Sequence, residues 1–261
     1  MEAAPHSERF IGVDLRSSRQ PFTYAALDGE RNLLAMGQGD LADVMAFIGG
    51  QSSAIIGINA PACLSQGLLQ ESEMRPQTSP LPPSKRWIKS RRVEYELHLE
   101  GLLITRTPAS LTECPRWMQR GFQLYHHLQQ MGYSPFTRQN ASRCWLETPA
   151  EAAFHRLMGQ KPLPPGTLES RLQRQLALYE HNLPVPDPMR FFEEITRHRL
   201  LRGILPLEHL FTAAELNAMV IAYTAWLAVH RPQQVTRWGA PEEGVIVLPA
   251  QTKQSGSGLS G

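Results

Sequence analysis

The stretch Phe10-Ile11-Gly12-Val13-Asp14-Leu15 decides how this chain folds. Its apolar run is short and ends in an acid, which is typical of a buried strand whose last residue reaches solvent at the edge of a sheet. Residues 22–27 and 32–37 predict two further strands, and the turn signal Asp28-Gly29 lies between them. The three runs together predict an antiparallel meander at the start of the fold.

Helices and strands alternate after this meander. Apolar runs predict strands at 54–59, 102–106, 143–147 and 245–249. Apolar residues at helical spacing predict helices at 41–48, 91–99, 115–131, 150–158, 168–181, 189–201 and 213–229. The alternation predicts an α/β fold, with a mixed β-sheet of an antiparallel meander plus parallel strands and with helices on both faces. We expect one domain over residues 1–250.

Two segments differ from the rest of this predicted domain. Residues 65–90 are rich in Ser, Gln, Pro, Lys and Arg, which predicts a long mobile loop. Residues 251–261 are rich in Ser and Gly, which predicts a flexible tail.

Composition restricts the location of the protein more than its partners. The formal net charge of +2 is too small to indicate a partner. Cys63, Cys114 and Cys144 show no CxxC spacing, so we expect free thiols and a cytoplasmic location. The amino terminus resembles no signal peptide, and no uncharged apolar run reaches about 18 residues, so we expect no membrane span. The oligomeric state is not predicted.

Three acids lie at the ends of predicted strands or in the first turn of a predicted helix. The ends of the strands are where a sheet opens into crevices that bind ligands. Asp14 and Glu147 end strands, and Glu215 lies in the first turn of the last helix. Together they could hold Mg²⁺ or Mn²⁺, because hard cations prefer oxygen ligands, and bound metal could promote phosphodiester hydrolysis. The alternatives are a turn residue at Asp14 and helix-start residues at Glu147 and Glu215.

The segment 84–92 is the sharpest charge feature of the chain. Basic side chains surround one aromatic residue, a pattern that suits a nucleic-acid backbone and one stacked base. The candidate nucleic-acid contacts are Lys85, Arg86, Trp87, Lys89 and Arg91. A solvated loop, or a surface pair between Arg91 and Glu94 on a helix, explains the same residues.

The chain as a whole resembles the family of uncharacterised predicted RNase H-like nucleases, from about residue 9 to residue 249. The motifs that carry the resemblance are Phe10-Ile11-Gly12-Val13-Asp14, Ile56-Gly57-Ile58-Asn59-Ala60-Pro61, Arg91-Arg92-Val93-Glu94, Trp117-Met118, Gly121-Phe122, Leu146-Glu147-Thr148-Pro149, Glu215-Leu216-Asn217-Ala218 and Glu242-Glu243-Gly244. The resemblance implies an RNase H-like fold and metal-dependent phosphodiester cleavage, with Asp14 as the acid of the first strand.

Two positions depart from the family pattern. Relatives typically carry Asp where this chain has Asn59, and often carry Asp where it has Asn217. Each change replaces an anionic ligand by a neutral amide, which weakens affinity for a hard cation. Either Glu147, Glu215 and Glu94 compensate, or the chain has lost catalysis and kept the fold.

Three functions therefore stay open at this point. The first is a metal-dependent nuclease that uses Asp14, Asn59, Glu147, Glu215 and Asn217. The second is a non-catalytic nucleic-acid-binding or interaction domain on the same scaffold. The third and weakest is a relative of actin-like ATPases, which share the opening meander but need glycine-rich phosphate-binding turns that this sequence lacks.

Overall fold

A computed structural model describes residues 8–15, 21–69, 87, 89–137 and 142–251. It contains eight strands, which are β1 (Arg9–Asp14), β2 (Phe22–Leu27), β3 (Leu33–Gly39), β4 (Ala54–Ile58), β5 (Ser134–Pro135), β6 (Arg143–Glu147), β7 (Val235–Ala240) and β8 (Gly244–Pro249). Its α-helices are α1 (Leu41–Gly49), α2 (Arg92–Leu99), α3 (Arg116–Gln130), α4 (Ala150–Met158), α5 (Leu168–Glu180), α6 (Arg190–Glu193), α7 (Arg197–Leu201) and α8 (Ala213–His230).

All eight strands belong to one sheet with the order β3-β2-β1-β4-β6-β8-β7, and β5 also pairs with β6. β1, β2 and β3 form the antiparallel meander. β4 runs parallel to β1, β6 parallel to β4, and β8 parallel to β6, while β7 closes the far edge antiparallel to β8. The predicted α/β fold with a mixed sheet is therefore confirmed.

Several predicted elements are wrong in detail. Residues 102–106 form no strand, and β7 was not predicted. The predicted helix 189–201 is broken into α6 and α7, because the Thr196 side chain accepts from the Arg199 amide and starts a new helix. Most of the predicted loop at 65–90, and the tail beyond residue 251, lie outside the described residues.

Helices cover both faces of the sheet and separate two cores. One core lies between the sheet and α8 with α4, and includes Phe10 and Ile55. The other lies on the α1 and α3 side, and includes Ile11 and Ile56. Neighbouring residues of one strand therefore point into different cores, as the pleat of a strand requires.

Two glycines let α8 pack very close to the centre of the sheet. A Cβ atom built on Gly12 would lie 2.0 Å from the carbonyl oxygen of Ala218, and one on Gly57 would lie 2.5 Å from the Ile221 side chain. These glycines are register partners in β1 and β4. Their missing side chains bring the first turns of α8 over the end of β1.

The last helix is apolar on nearly all sides because the fold surrounds it. The stretch Leu207–His230 is long and apolar enough to cross a membrane by length and composition. However, 67% of its most apolar window is buried inside the fold. Because α8 packs on β1, β2 and β4, its composition is that of a core helix.

Candidate functional site

The carboxyl ends of β1, β4 and β6 lie level with one another. Val13 pairs with Ile58, and Ile58 pairs with Glu147. The Asn59 amide continues the ladder by donating to the carbonyl of Val13 at 3.0 Å. Because side chains alternate between faces, Asp14 and Asn59 point to the α8 side, whereas Glu147 points to the other side with Ile58.

Asp14, Asn59 and Asn217 meet at this sheet end, and we name them the Asp14 cluster. The Asn59 side-chain amide donates to Oδ1 of Asp14 at 2.5 Å, and the Asn217 amide donates to Oδ2 at 3.2 Å. Asp14 is only 7% exposed and Asn59 only 4%. Each oxygen of this buried carboxylate therefore accepts a hydrogen bond from a neutral amide.

The hydrogen-bond network fixes the orientation of both amides. Oδ1 of Asn59 accepts from the backbone amide of Ala150 at 3.1 Å, at the start of α4. Its amide nitrogen must therefore face Asp14. Oδ1 of Asn217 is buried and has no hydrogen-bond partner within the described parts of the chain. Turning that amide over would place its oxygen against the Asp14 carboxylate, which is unfavourable.

Glu147 lies in a different cluster on the opposite face of the sheet. Nη1 and Nη2 of Arg91 donate to the two oxygens of Glu147 at 2.8 and 2.5 Å, and the amide of Ala62 donates to Oε2 at 3.0 Å. Arg91 is 1% exposed and Glu147 is 2% exposed. This is a bidentate, charge-assisted pair inside the protein.

Two more carboxylates complete this cluster, which we name the Arg91 cluster: Arg91, Glu94, Glu147 and Glu243. Nε of Arg91 donates to Glu94 at 2.8 Å. Glu94 also accepts from the backbone amide of Thr107 at 2.7 Å. Glu243 accepts from the backbone amides of Gln66 and Arg92, both at 2.8 Å. Nη1 of Arg91 also donates to the backbone carbonyl of Glu243 at 3.3 Å. The guanidinium thus binds two buried carboxylates, and the third acid of the cluster is bound by backbone amides.

Burial shifts the titration of this cluster. Burial raises the pKa of Glu94 above its usual value, although Arg91 and Thr107 act in the opposite direction. For Arg91, burial would lower the pKa, but the charges of Glu147 and Glu94 outweigh it and keep the pKa well above its ordinary value. Arg91 therefore keeps its charge, and burial makes Glu94 easier to protonate than an exposed glutamate.

Glu215 caps α8 instead of facing Asp14. Its Oε2 accepts from the backbone amide of Thr212 at 2.7 Å and from the Thr212 hydroxyl at 2.9 Å. The Thr212 hydroxyl in turn accepts from the Glu215 amide at 3.3 Å. This is a capping box, which satisfies otherwise unpaired amides at a helix start. The helix-start alternative accounts for this residue.

The residues that the sequence proposed for Mg²⁺ or Mn²⁺ do not fit such an ion in this arrangement. Asp14 is the single carboxylate of its cluster, and both of its oxygens accept amide hydrogens. Both Glu147 oxygens are bound to Arg91. Within the Asp14 cluster, the Oδ1 atom of Asn217 has no hydrogen-bond partner among the described residues, so this oxygen is the atom that could bind a cation. One carboxylate and one amide oxygen provide little charge for a hard cation.

A second group of possible metal ligands lies far along the chain. One ligand atom from each of Glu194, Glu208 and His209 lies within 4.8 Å of the others. His209 already contacts Glu194 at 2.6 Å, and Arg199 donates to the same carboxylate at 3.1 Å. Glu194 therefore already has two basic partners.

The predicted nucleic-acid contacts separate in the structure. Lys85 and Arg86 lie outside the described residues. Lys89 is exposed, and the Trp87 ring stacks on His98 at a centroid distance of 4.6 Å. Arg91 is buried and paired with carboxylates, so a phosphate contact at this position does not fit the structure.

A small cleft of about 30 Å³ opens where the two clusters approach each other. Asn59, Arg91 and Glu147 line it, together with Trp117 from α3 and Glu151 from α4. Sequence reasoning named Trp117 only within the motif Trp117-Met118 that carries the family resemblance, and did not single out Glu151. Glu151 forms a buried ion pair with Arg174 at 2.9 Å, a partner 23 residues away that no local pattern indicates.

Comparisons with known proteins add no family assignment. A scan against protein-family models finds no match for this chain, and a search of curated proteins finds none either.

Proposed function

We propose that the chain is an RNase H-like domain of the nuclease type whose hydrolytic centre is neutralised, and that it binds nucleic acid without cleaving it. One observation carries the proposal: both oxygens of the Asp14 carboxylate accept hydrogen bonds from the amides of Asn59 and Asn217. At the place where the family resemblance implies acids around a cation, this chain has neutral donors around one acid.

The topology supports the RNase H-like part of the proposal. The resemblance implies an opening antiparallel meander followed by parallel strands, with the first acid at the end of β1. The order β3-β2-β1-β4-β6 has this form, and Asp14 ends β1. The close packing of α8 at Gly12 brings Asn217 to Asp14, so both positions that depart from the family contact the first-strand acid.

Charge supports the loss of hydrolysis. A metal centre for phosphodiester cleavage needs carboxylates that hold the cation against a phosphate. In the Asp14 cluster, the amides of Asn59 and Asn217 each donate to one oxygen of the carboxylate. The other two acids are used elsewhere, Glu147 by Arg91 and Glu215 by Thr212.

The position of the cleft supports nucleic-acid binding. In open α/β sheets, ligands bind in crevices at the carboxyl ends of the strands. Trp117 lines this cleft beside Asn59. The basic segment 84–92 ends there, because Arg91 lines the cleft and Lys89, two residues earlier, is exposed. A nucleic-acid strand at the mouth of this cleft would contact Trp117 and Lys89, whereas Arg91 stays paired with its carboxylates.

Fluorescence anisotropy and gel electrophoresis of labelled single-stranded DNA, single-stranded RNA and an RNA–DNA hybrid test this proposal. We expect binding that is equal in EDTA and in Mg²⁺, weakens as salt increases, and yields no cleavage product in Mg²⁺ or Mn²⁺. Lys89→Ala should weaken the binding of nucleic acid. Arg202→Ala removes an exposed cation just after α7 and should leave the binding unchanged. Absence of binding to all three substrates would refute the proposal.

Residual metal-dependent hydrolysis is the second candidate, and a specific observation favours it. Oδ1 of Asn217 is buried beside Asp14 without a partner among the described residues, and an amide oxygen is an acceptable ligand for Mg²⁺. Slow cleavage that requires Mg²⁺ or Mn²⁺ and disappears in Asp14→Asn would establish this candidate against the first.

A further inference from the structure

A separate polar cleft lies at the other end of α8. Its volume is about 410 Å³, and it is formed by the β2–β3 turn, the end of α5, the end of α8 and the residues after β8. Arg231 follows α8 at this end, whereas Asn217 lies in its first turns. At a rise of about 1.5 Å per residue, the two positions are roughly 21 Å apart. This cleft is therefore distinct from the Asp14 cluster.

Two arginines, Arg31 and Arg231, line this cleft. The guanidinium carbon of Arg31 lies 5.0 Å from the centroid of the Trp226 ring, and that of Arg231 lies 5.4 Å from it. Neither has a carboxylate partner within the described residues. Glu180 is the one acid among the lining residues. Two like charges held near one ring repel each other, and an anion between them would remove that cost.

The backbone holds Arg31 in an unfavourable conformation. Its φ angle is +69°, in the left-handed region that residues other than glycine rarely occupy. The Asp28 carboxylate fixes this turn by accepting from the backbone amides of Glu30 and Asn32. Nη1 of Arg31 then donates to the carbonyl of His181 at 2.9 Å. The guanidinium is thus held in place by the fold and is not left to solvent.

Neutral hydrogen-bond donors surround the two cations. Burial raises the pKa of the Tyr223 phenol, so its hydroxyl keeps its proton and can donate. Burial lowers the pKa of His181, so its imidazole is neutral at pH 7. Gln233 and Gln234 add side-chain amides to the lining. The cleft therefore offers several donors, two positive charges, of which that of Arg31 is fixed by the fold, and one acid.

We propose that this cleft binds a small phosphate-bearing molecule, with its phosphate held between Arg31 and Arg231. A phosphate dianion matches two guanidiniums in charge, and guanidinium groups recognise phosphate oxygens by paired hydrogen bonds. The Tyr223 hydroxyl and the glutamine amides would bind the remaining oxygens. A metal cation does not suit this lining, because two unpaired arginines would repel it.

Isothermal titration calorimetry with inorganic phosphate, pyrophosphate and adenosine monophosphate tests the proposal on the full chain at constant ionic strength. We expect saturable binding of one molecule per chain by at least one of these probes. Arg231→Gln should weaken that binding at least about tenfold, because a hydrogen bond to a charged group is lost. Arg202→Gln removes an equal exposed charge elsewhere and should leave the affinity unchanged.

Two further measurements make the result decisive. Thermal unfolding of Arg231→Gln should match that of the unmodified chain, because Arg231 is exposed. Arg31→Asn, which suits the left-handed turn, should give the same loss of affinity as Arg231→Gln. No saturable binding of any probe, or an equal loss in Arg202→Gln, would overturn the proposal. If Arg231→Gln weakens only the binding of nucleic acid, the cleft belongs to a nucleic-acid surface and the proposal is also wrong.

Discussion

The Asp14 cluster and the Arg91 cluster lie at the same end of one sheet, but their buried carboxylates have different partners. In the first, one buried carboxylate is bound by two neutral amides. In the second, one guanidinium binds the buried carboxylates of Glu94 and Glu147, and the third acid, Glu243, accepts from backbone amides. The comparison shows that an acid at a strand end can be bound either by neutral amides or by a buried guanidinium, and that its place at the strand end does not decide which.

The pleat of the sheet separates the two clusters. Asp14 and Asn59 share the face under α8, whereas Glu147 is one residue out of step with them and points to the other face. An acid at the Glu147 position is therefore in reach of Arg91 and not of Asp14. A substitution in either cluster should consequently have its own effect on stability and on ligand binding.

The largest effect is expected from removal of the guanidinium. Arg91→Met leaves Glu147 and Glu94 buried without their cation, and should lower the free energy of unfolding by about 3–5 kcal/mol. Urea unfolding measures it. Arg92→Ala is the matched control, because that side chain is 52% exposed and pairs with Glu96 on the surface. It should cost at most about 1 kcal/mol. Equal losses in the two variants would mean that the Arg91 cluster does not stabilise the fold.

A smaller effect is expected from separating α8 from the sheet. Gly12→Ala places a Cβ 2.0 Å from the Ala218 carbonyl oxygen, so helix or strand must shift. We expect a loss of about 1–3 kcal/mol in the free energy of unfolding. In Gly49→Ala the new Cβ would meet only the end of the Met131 side chain at 3.5 Å, so this control should cost far less. An unaffected Gly12→Ala protein would refute the close packing that brings Asn217 to Asp14.

Glu215, the third acid predicted to bind a metal, should affect only the stability of α8. Glu215→Ala removes the reciprocal half of the capping box, and should cost about 0.5–1 kcal/mol in urea unfolding. Nucleic-acid binding by the same variant should be unchanged, because the carboxylate is bound to Thr212. A loss of nucleic-acid affinity without a loss of stability would instead place Glu215 in the binding site.

The smallest expected effect is on the pH dependence of the free energy of unfolding. Burial raises the folded pKa of Glu94 above the ordinary value of 4.5. Its contribution to stability is therefore complete below that value and is lost as pH rises through the folded pKa. The unfolding free energy of the unmodified chain, relative to Glu94→Gln, should thus fall as pH increases above about 4.5. A relative stability that rises with pH would contradict this assignment.

The antiparallel meander, the alternation of helices and strands, and the position of Asp14 at the end of β1 could be predicted from the sequence. All three follow from local hydrophobic runs and from where the strands end. The resemblance to RNase H-like nucleases also drew attention to positions 59 and 217, and both side chains contact Asp14. The sequence could not indicate that Arg91 is buried, since the partners Glu147 and Glu243 are 56 and 152 residues away. The segment 102–106 was wrongly predicted as a strand because an apolar run alone does not distinguish a strand from extended backbone that covers another element.

The most direct test of the central claim uses the double variant Asn59→Asp/Asn217→Asp. We predict that Mg²⁺ leaves the unfolding midpoint of the unmodified chain unchanged but stabilises the double variant, by about 1.4 kcal/mol at a Mg²⁺ concentration about tenfold above Kd. Adding Asp14→Asn should abolish the gain, and Asn217→Asp alone provides the same test if the double variant fails to fold. Stabilisation of the unmodified chain by millimolar Mg²⁺, lost in Asp14→Asn, would contradict the account.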